Sequence, residues 1–358
     1  MNFNELRGCF RSLLDSGISI ELISPPGRGK STFINDAVAR ESAADGEEWG
    51  LSTLFLATQT PPDLIGYIMK GERDFGNGAV AVSEPTMPGW MITRSGKPVH
   101  AYKRGILFLD EYGQGEADVK RASAELLLNR QLGPWRLPDG WSVIAASNRS
   151  SDRSGVTKSF DFVINRRIEI NITDDITAWE AWALENSVDP LAVSFAVQNP
   201  HIVFSDGVPE KQGPWCTPRS LVMLMTALDK MRDSDGKLVI SGVTHEISAG
   251  MIGKAATAQL MAHIKLGHEL PDFDDIVSKP EKVKVPSKPD AQMIVAYSVA
   301  ARVSKDTLPP VLTYMDKLPK EFLVTFANAT IKRDPSLLSA PAMLKFCQDH
   351  QAVLRAIQ

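Results

Sequence analysis

The sequence predicts a two-part α/β protein, with a parallel, helix-covered β-sheet in the first half and an all-helical second half. Three observations carry that expectation. Five short, apolar, β-branched runs fall in the first half: ISIELIS (18–24), STLFLA (52–57), ILFLD (106–110), SVIAAS (142–147) and IEINI (168–172). Most are continuous rather than alternating, as strands buried on both faces of a parallel sheet are. Helical or irregular stretches separate them, which is the spacing of βα crossovers. After Thr173 the β-type runs give way to apolar residues at helical spacing.

At 358 residues the chain is too long for one ordinary domain. Its 43% hydrophobic and 23% charged content is that of a soluble globular protein with a sizeable core. The net charge of −4, with no long basic block, gives no electrostatic reason to expect a nucleic-acid partner. Three cysteines, Cys9, Cys216 and Cys347, are odd in number and far apart, which fits a reducing compartment and no metal site. The opening MNFNELRGCFRS lacks the apolar core of a signal peptide, and no apolar run is long enough to span a bilayer. A cytoplasmic protein without membrane insertion is the expectation.

The first run leads into ELISPPGRGKST (21–32), followed by FINDAVAR, which reads as a helix. This nearly spells G-x-x-x-x-G-K-[ST], with Ser24 where the first Gly is expected. Such a loop holds phosphate because successive backbone N–H groups and a helix N-terminus face the anion, while a lysine adds a point charge. Gly27 and Gly29 would let the backbone turn and approach closely, Lys30 would reach the β- and γ-phosphates, and the Ser31 hydroxyl would ligate Mg²⁺. The nucleotide-binding stretch is therefore Pro26, Gly27, Arg28, Gly29, Lys30, Ser31 and Thr32. A small residue suffices at position 24, so the loop is expected to work.

The connection 58–105 holds seven Gly and five Pro, too many for one helix, and reads as an inserted hairpin or loop beside a short helix. The third run ends in Asp110 and Glu111. Ligands of open parallel sheets sit beyond the carboxyl ends of the strands, so both acids would face the nucleotide. Asp110 would hold Mg²⁺, and Glu111 would polarise the attacking water. In the second half, DDITAWEAWALENS (174–187) offers Asp174 and Asp175 as helix caps, and PRSLVMLMTALDKMRD and EISAGMIGKAATAQLMAHIKL each read as one amphipathic helix. Residues 268–291, with four Pro and four Lys, read as a linker or strap, and three or four helices follow. Cys347 reads as a small buried residue rather than a nucleophile. The expected domains are an α/β nucleotide-binding domain over 1–175, a helical domain over 176–267, a linker over 268–290 and a C-terminal helical region over 291–358.

On these motifs the chain resembles the AAA+ ATPases, and in particular their MoxR-like branch of bacteria and phages, over roughly 18–266. The resemblance implies a P-loop core with a parallel five-stranded sheet, an α-helical lid and an additional C-terminal helical region. It implies that Asn148, ending SVIAASN, is the sensor 1 residue between Glu111 and the γ-phosphate. In FVINRRIEI it implies an arginine finger, Arg166 first and Arg167 as the fallback. In WCTPRS (215–220) it makes Arg219 the sensor 2 residue of the lid. PPDLIG (61–66) is similar to the MoxR segment before the helix-2 insertion, and RQLGPWRLPDGW (130–141) to the pre-sensor hairpin; Trp135 there reads as a packing anchor ahead of a substrate-gripping residue.

By the same resemblance the cofactors are ATP and Mg²⁺, and the assembly is a hexameric ring. The work is remodelling or activation of a protein client, often with a von Willebrand factor A-domain partner. NRSSDRSG (148–155) also resembles a segment of the McrBC-type restriction GTPases, which would bring Asp152 and Arg153 into the site and make GTP the nucleotide. A nucleic-acid motor and a nucleotide-gated structural module are the remaining alternatives.

Overall fold

The computed structural model describes residues 1–152, 161–350 and 355. They fall into two compact units, one of 1–174 with 206–208 and the other of 175–205 with 209–358. The first unit runs α1 (Phe3–Asp15), β1 (Ile20–Ile23), α2 (Lys30–Asp45), β2 (Gly50–Phe55), α3 (Pro61–Ile65), β3 (Ile68–Asp74), β4 (Ala79–Pro85), β5 (Gly105–Asp110), α4 (Ala117–Asn129), β6 (Gln131–Leu132), β7 (Trp135–Arg136), β8 (Trp141–Ser147), α5 (Asp161–Ile164) and β9 (Ile168–Asn171).

The five apolar runs form one sheet in the order β2-β5-β8-β1-β9, with every neighbouring pair parallel. This is the parallel, helix-covered sheet of a P-loop α/β fold. Parallel strands need crossovers, and helices therefore cover both faces. Along β5, Ile106 and Phe108 pack with Phe33 and Ile34 of α2 and Leu6 and Phe10 of α1. Leu107 and Leu109 face the other way, onto Val119, Leu126 and Leu127 of α4. The two-residue period of a strand thus serves two cores at once.

Helix α1 is secured by a capping box in which Asn2 Oδ1 accepts from the Glu5 N–H and Glu5 Oε2 from the Asn2 N–H, both at 2.8 Å. Phe3 then stacks on Phe33 with ring centroids 5.0 Å apart. The Gly- and Pro-rich connection is α3 followed by the antiparallel hairpin β3–β4, whose residues are exposed or half-buried throughout. A second small hairpin, β6–β7, lies in 130–141. Its Trp135 donates from Nε1 to the Ile65 carbonyl at 3.0 Å, as a packing anchor should.

The second unit is helical: α6 (Ile176–Glu185), α7 (Pro190–Gln198), α8 (Pro200–Val203), α9 (Pro218–Asp229), α10 (Gly242–Ile252), α11 (Lys254–His268), α12 (Phe273–Ser278), α13 (Pro289–Arg302), α14 (Leu308–Met315), α15 (Lys320–Arg333) and α16 (Pro341–Asp349). Asp175 caps α6, accepting from the Ala178 N–H at 3.1 Å. The single helix expected from EISAGMIGKAATAQLMAHIKL is two, broken at Gly253. That residue takes φ 81° and ψ 156°, and a Cβ there would lie 2.6 Å from the Pro214 carbonyl oxygen. Only glycine occupies that backbone region comfortably. Within 268–290, α12 buries Ile276 in the same core as Val295, Tyr314 and Phe326, so part of this segment packs rather than straps. Cys347 is buried in that core as well. Among the described residues no helix is long and apolar enough to cross a membrane.

Candidate nucleotide-binding site

Strand β1 ends at the loop, and α2 begins where the loop ends. Gly27 and Gly29 have φ 76° and 95°, a region that costs an L-residue about 1–2 kcal/mol, so the turn uses both glycines. Gly29 is the N-cap of the sixteen-residue α2, leaving the helix's first N–H groups aimed along the loop. Lys30 is only 8% exposed. Its ammonium donates to the Ser24 carbonyl and hydroxyl oxygens at 3.0 Å each, to the Pro25 carbonyl at 3.4 Å and to Asn148 Oδ1 at 3.0 Å. Ser24 therefore fills the missing glycine position with a working acceptor for the lysine.

The sheet brings the two acids and the asparagine to the same place. Ser31 Oγ donates to Asp110 Oδ2 at 2.8 Å, and the Glu111 N–H to Asp110 Oδ1 at 3.0 Å. Asn148, at the end of β8, donates from Nδ2 to Glu111 Oε2 at 3.4 Å while Oδ1 receives Lys30. Five predicted residues thus form one connected set: Lys30, Asn148, Glu111, Asp110 and Ser31. Glu111 has φ 53°, a left-handed conformation uncommon outside glycine, and local strain of this kind clusters at functional sites. Ser31 and Asp110 are hard oxygen donors beside one another, a fit for Mg²⁺.

Arg28 has an acidic partner of its own. Its guanidinium is buried and paired with Asp174 at 3.2 Å. Asp174 is thus this arginine's partner, and the cap of α6 is Asp175. Burial pushes Arg28 below its ordinary pKa and Asp174 above its own, with each charge partly restoring the other. Pro26 and Thr32 are half-buried in the loop and the first turn of α2. Asp152 is 1% exposed and accepts from the Arg149 N–H at 3.1 Å and its guanidinium at 3.0 Å, while Arg149 also reaches Asp206 at 2.7 Å. Asp152 is thus engaged by the arginine three residues before it, and Arg153 lies outside the described residues.

The two arginines of FVINRRIEI go opposite ways. Arg166 is exposed. The Arg167 side chain is 3% exposed, its guanidinium is paired with Glu21 and lies 3.8 Å from Glu169, so it is not presented at the surface. Arg219 is exposed near the N-terminus of α9 in the helical unit, where Thr217 Oγ1 accepts from the Ser220 N–H at 3.1 Å.

The buried acid Glu21 escaped the sequence reading. It sits mid-strand in β1, 2% exposed, opposite Ala145 and Glu169, and it accepts from the Ser147 hydroxyl. Burial raises its pKa while Arg167 opposes the shift. Lys120, on α4, is 1% exposed and is brought down to about 8 by burial, with Glu21 pulling the other way. Tyr112, directly after Glu111, has the Lys120 ammonium 5.5 Å and the Arg167 guanidinium 5.7 Å from its ring centroid. The signal was available, since a glutamate inside an apolar strand requires a buried partner.

No protein-family model and no curated protein matches the chain. Among solved structures, it is similar to a mutant of Thermotoga maritima RuvB at 12% identity, covering 87% of this chain and 86% of that one with a TM-score of 0.39. It is also similar to NtrX from Brucella abortus in complex with ATP at 15% identity, covering 99% of this chain and 67% of that one with a TM-score of 0.37. The fold rests on the chain's own sheet order, and these distant likenesses add nothing to it.

Proposed function

We propose that this chain is a MoxR-like AAA+ ATPase that hydrolyses ATP with Mg²⁺ in an oligomeric ring, hexameric by the family's pattern, to remodel or activate a protein client. The observation that supports this reading is the connected set of Lys30, Ser31, Asp110, Glu111 and Asn148 at the carboxyl ends of adjacent parallel strands. Phosphoryl transfer passes through a loose transition state whose charge spreads over the γ-oxygens, so catalysis is mostly positioning and cation placement. The α2 N-terminus and Lys30 would hold the phosphates. Glu111 would accept hydrogen bonding from the attacking water, and Asn148, between Glu111 and Lys30, would hold the glutamate in line with the phosphate. When bound through Ser31 and Asp110, Mg²⁺ would neutralise charge on the phosphate oxygens.

Arg166 is exposed while the Arg167 side chain is buried against Glu21, which favours Arg166 as the finger offered to a neighbouring copy. Arg219 is proposed as the sensor 2 residue on the family's pattern. ATP is favoured over GTP because Asp152, which the GTPase alternative would use, is already held by Arg149.

Turnover of ATP and of GTP, measured with Mg²⁺ across a protein concentration series, tests the proposal. Turnover per subunit is expected to rise steeply with concentration, and Arg166→Ala subunits are expected to poison mixed rings. Turnover independent of concentration would remove the shared site. Mg²⁺-dependent nucleotide binding without turnover would leave a nucleotide-gated module.

A further inference from the structure

Four residues of the buried cluster beneath β1 share a property. Tyr112 follows Glu111 in sequence, Ser147 precedes Asn148, Arg167 follows Arg166, and Glu21 lies on the strand that runs into the phosphate loop. Glu21 is the hub, accepting from Ser147 and pairing with Arg167, whose guanidinium lies over the Tyr112 ring. Glu111, Asn148 and Arg166, three groups that the proposed mechanism needs, are thus each one residue along the chain from this cluster.

We propose that Arg167, held by Glu21, is the positioning residue for Arg166: it fixes where the finger is presented to a neighbouring subunit. The inference rests on the shared-site reading above. Arg167 is fixed from three sides. The Ile168 N–H donates to the Ser19 carbonyl at 2.9 Å and opens the β9 pairing with β1. Glu21 holds the guanidinium from the adjacent strand, and the Tyr112 ring lies against it. On the other side, the Arg166 N–H donates to the Val163 carbonyl at 3.1 Å, closing a turn. The Arg166 backbone is thus held on one side by the Val163 carbonyl and on the other by its peptide link to the pinned Arg167. Preorganising a cation that stabilises developing charge is worth most when the group need not be found and ordered at the moment of reaction. A surface arginine next to a pinned, buried arginine meets that need better than two exposed arginines would.

The role is asymmetric between subunits. Arg167 should matter in the subunit that donates the finger, and much less in the one whose nucleotide is cleaved. A pair of crippled full-length chains separates the two. Glu111→Gln chains keep their finger and lose their own turnover, and Arg166→Ala chains keep their site and lack a finger. Mixing them should restore turnover where a Glu111→Gln chain serves an Arg166→Ala neighbour. Adding Arg167→Met to the Glu111→Gln donor is expected to cut the restored rate by about 10²-fold, the scale of a misplacement near 1 Å. Adding it to the Arg166→Ala acceptor should cost far less.

Removing one member of a buried ion pair strands the other charge, so the donor carrying both Glu21→Gln and Arg167→Met is run alongside, with melting temperature and ATP binding recorded for each chain. The same asymmetric loss is expected there. Restored turnover that survives Arg167→Met in the donor overturns the proposal while leaving the shared site intact. Equal loss from either placement assigns Arg167 a merely structural role and also overturns it. No restoration even with the parental donor overturns the shared-site reading, and the positioning role with it.

Discussion

Substituting Ser24 by alanine should make nucleotide bind more tightly. Ser24 Oγ is one of at least four oxygens within hydrogen-bond reach of the Lys30 ammonium, and it also donates to the Pro25 carbonyl at 3.0 Å. The ammonium has three protons, so a phosphate oxygen can join it only by displacing an acceptor already present. The hydroxyl is the most dispensable, because the backbone carbonyls of Ser24 and Pro25 are fixed by the loop. A hydrogen bond to a charged group is worth about 1.5–3 kcal/mol, and with four oxygens sharing three protons the loss of one should cost about 1 kcal/mol.

If that bond is broken when phosphate binds, the cost falls on the free protein alone. The Kd for ATP should then fall about fivefold, while the melting temperature of the free protein drops by about 2–4 °C for a unit of this size. Isothermal titration of parent and Ser24→Ala chains with a non-hydrolysable ATP analogue, beside calorimetric melting without nucleotide, measures both. A lower melting temperature with unchanged or weaker binding would refute the reasoning, because it would mean that Lys30 keeps Ser24 while holding phosphate.

Three further expectations concern the rest of the molecule. Glu111→Gln should bind nucleotide as the parent does and turn it over at least about 10²-fold more slowly, the usual share of a positioned base; a rate within a few-fold of the parent would remove Glu111 from the chemistry. Gly253→Ala should destabilise the helical unit by about 1–3 kcal/mol, because alanine must adopt a backbone region left to glycine and its Cβ would lie 2.6 Å from the Pro214 carbonyl oxygen. A melting transition unmoved by the substitution would contradict the break between α10 and α11. His263 is 7% exposed and bonded to the Ser194 hydroxyl at 2.8 Å; burial takes its pKa from 6.5 to about 4. The unfolded chain therefore binds the extra proton first. Stability contributed by the neutral ring is full above pH 6.5 and is lost as pH falls toward 4, by about 3 kcal/mol in all. His263→Gln should flatten the melting temperature of the helical unit over that interval relative to the parent, and parallel curves would refute the assignment.

What the sequence disclosed and what it withheld divide along one physical line. Runs such as ILFLD and SVIAAS announce buried strands because burial on two faces is written in consecutive residues. The phosphate loop is legible because its chemistry needs Gly27, Gly29, Lys30 and Ser31 within a few residues of one another. The helix break at Gly253 was not legible, since the composition around it favours helix and the deciding contact is with Pro214, far away in sequence. Between Arg166 and Arg167 the resemblance gave only a ranking, Arg166 first, and it is the adjacency of β1 and β9 that puts Glu21 beside Arg167.

Strand order is set by how the whole chain packs, so no local pattern records it. Yet Glu21 was visible all along inside ISIELIS, and a carboxylate there cannot stay charged without a cation from another element. A buried acid in an apolar strand thus predicts that a partner exists before it predicts which one. Here Arg167, at the start of the strand beside β1, is that partner, with Lys120 of α4 nearby. At the start of β9 one arginine, Arg167, turns inward to that acid, and Arg166 beside it stays exposed.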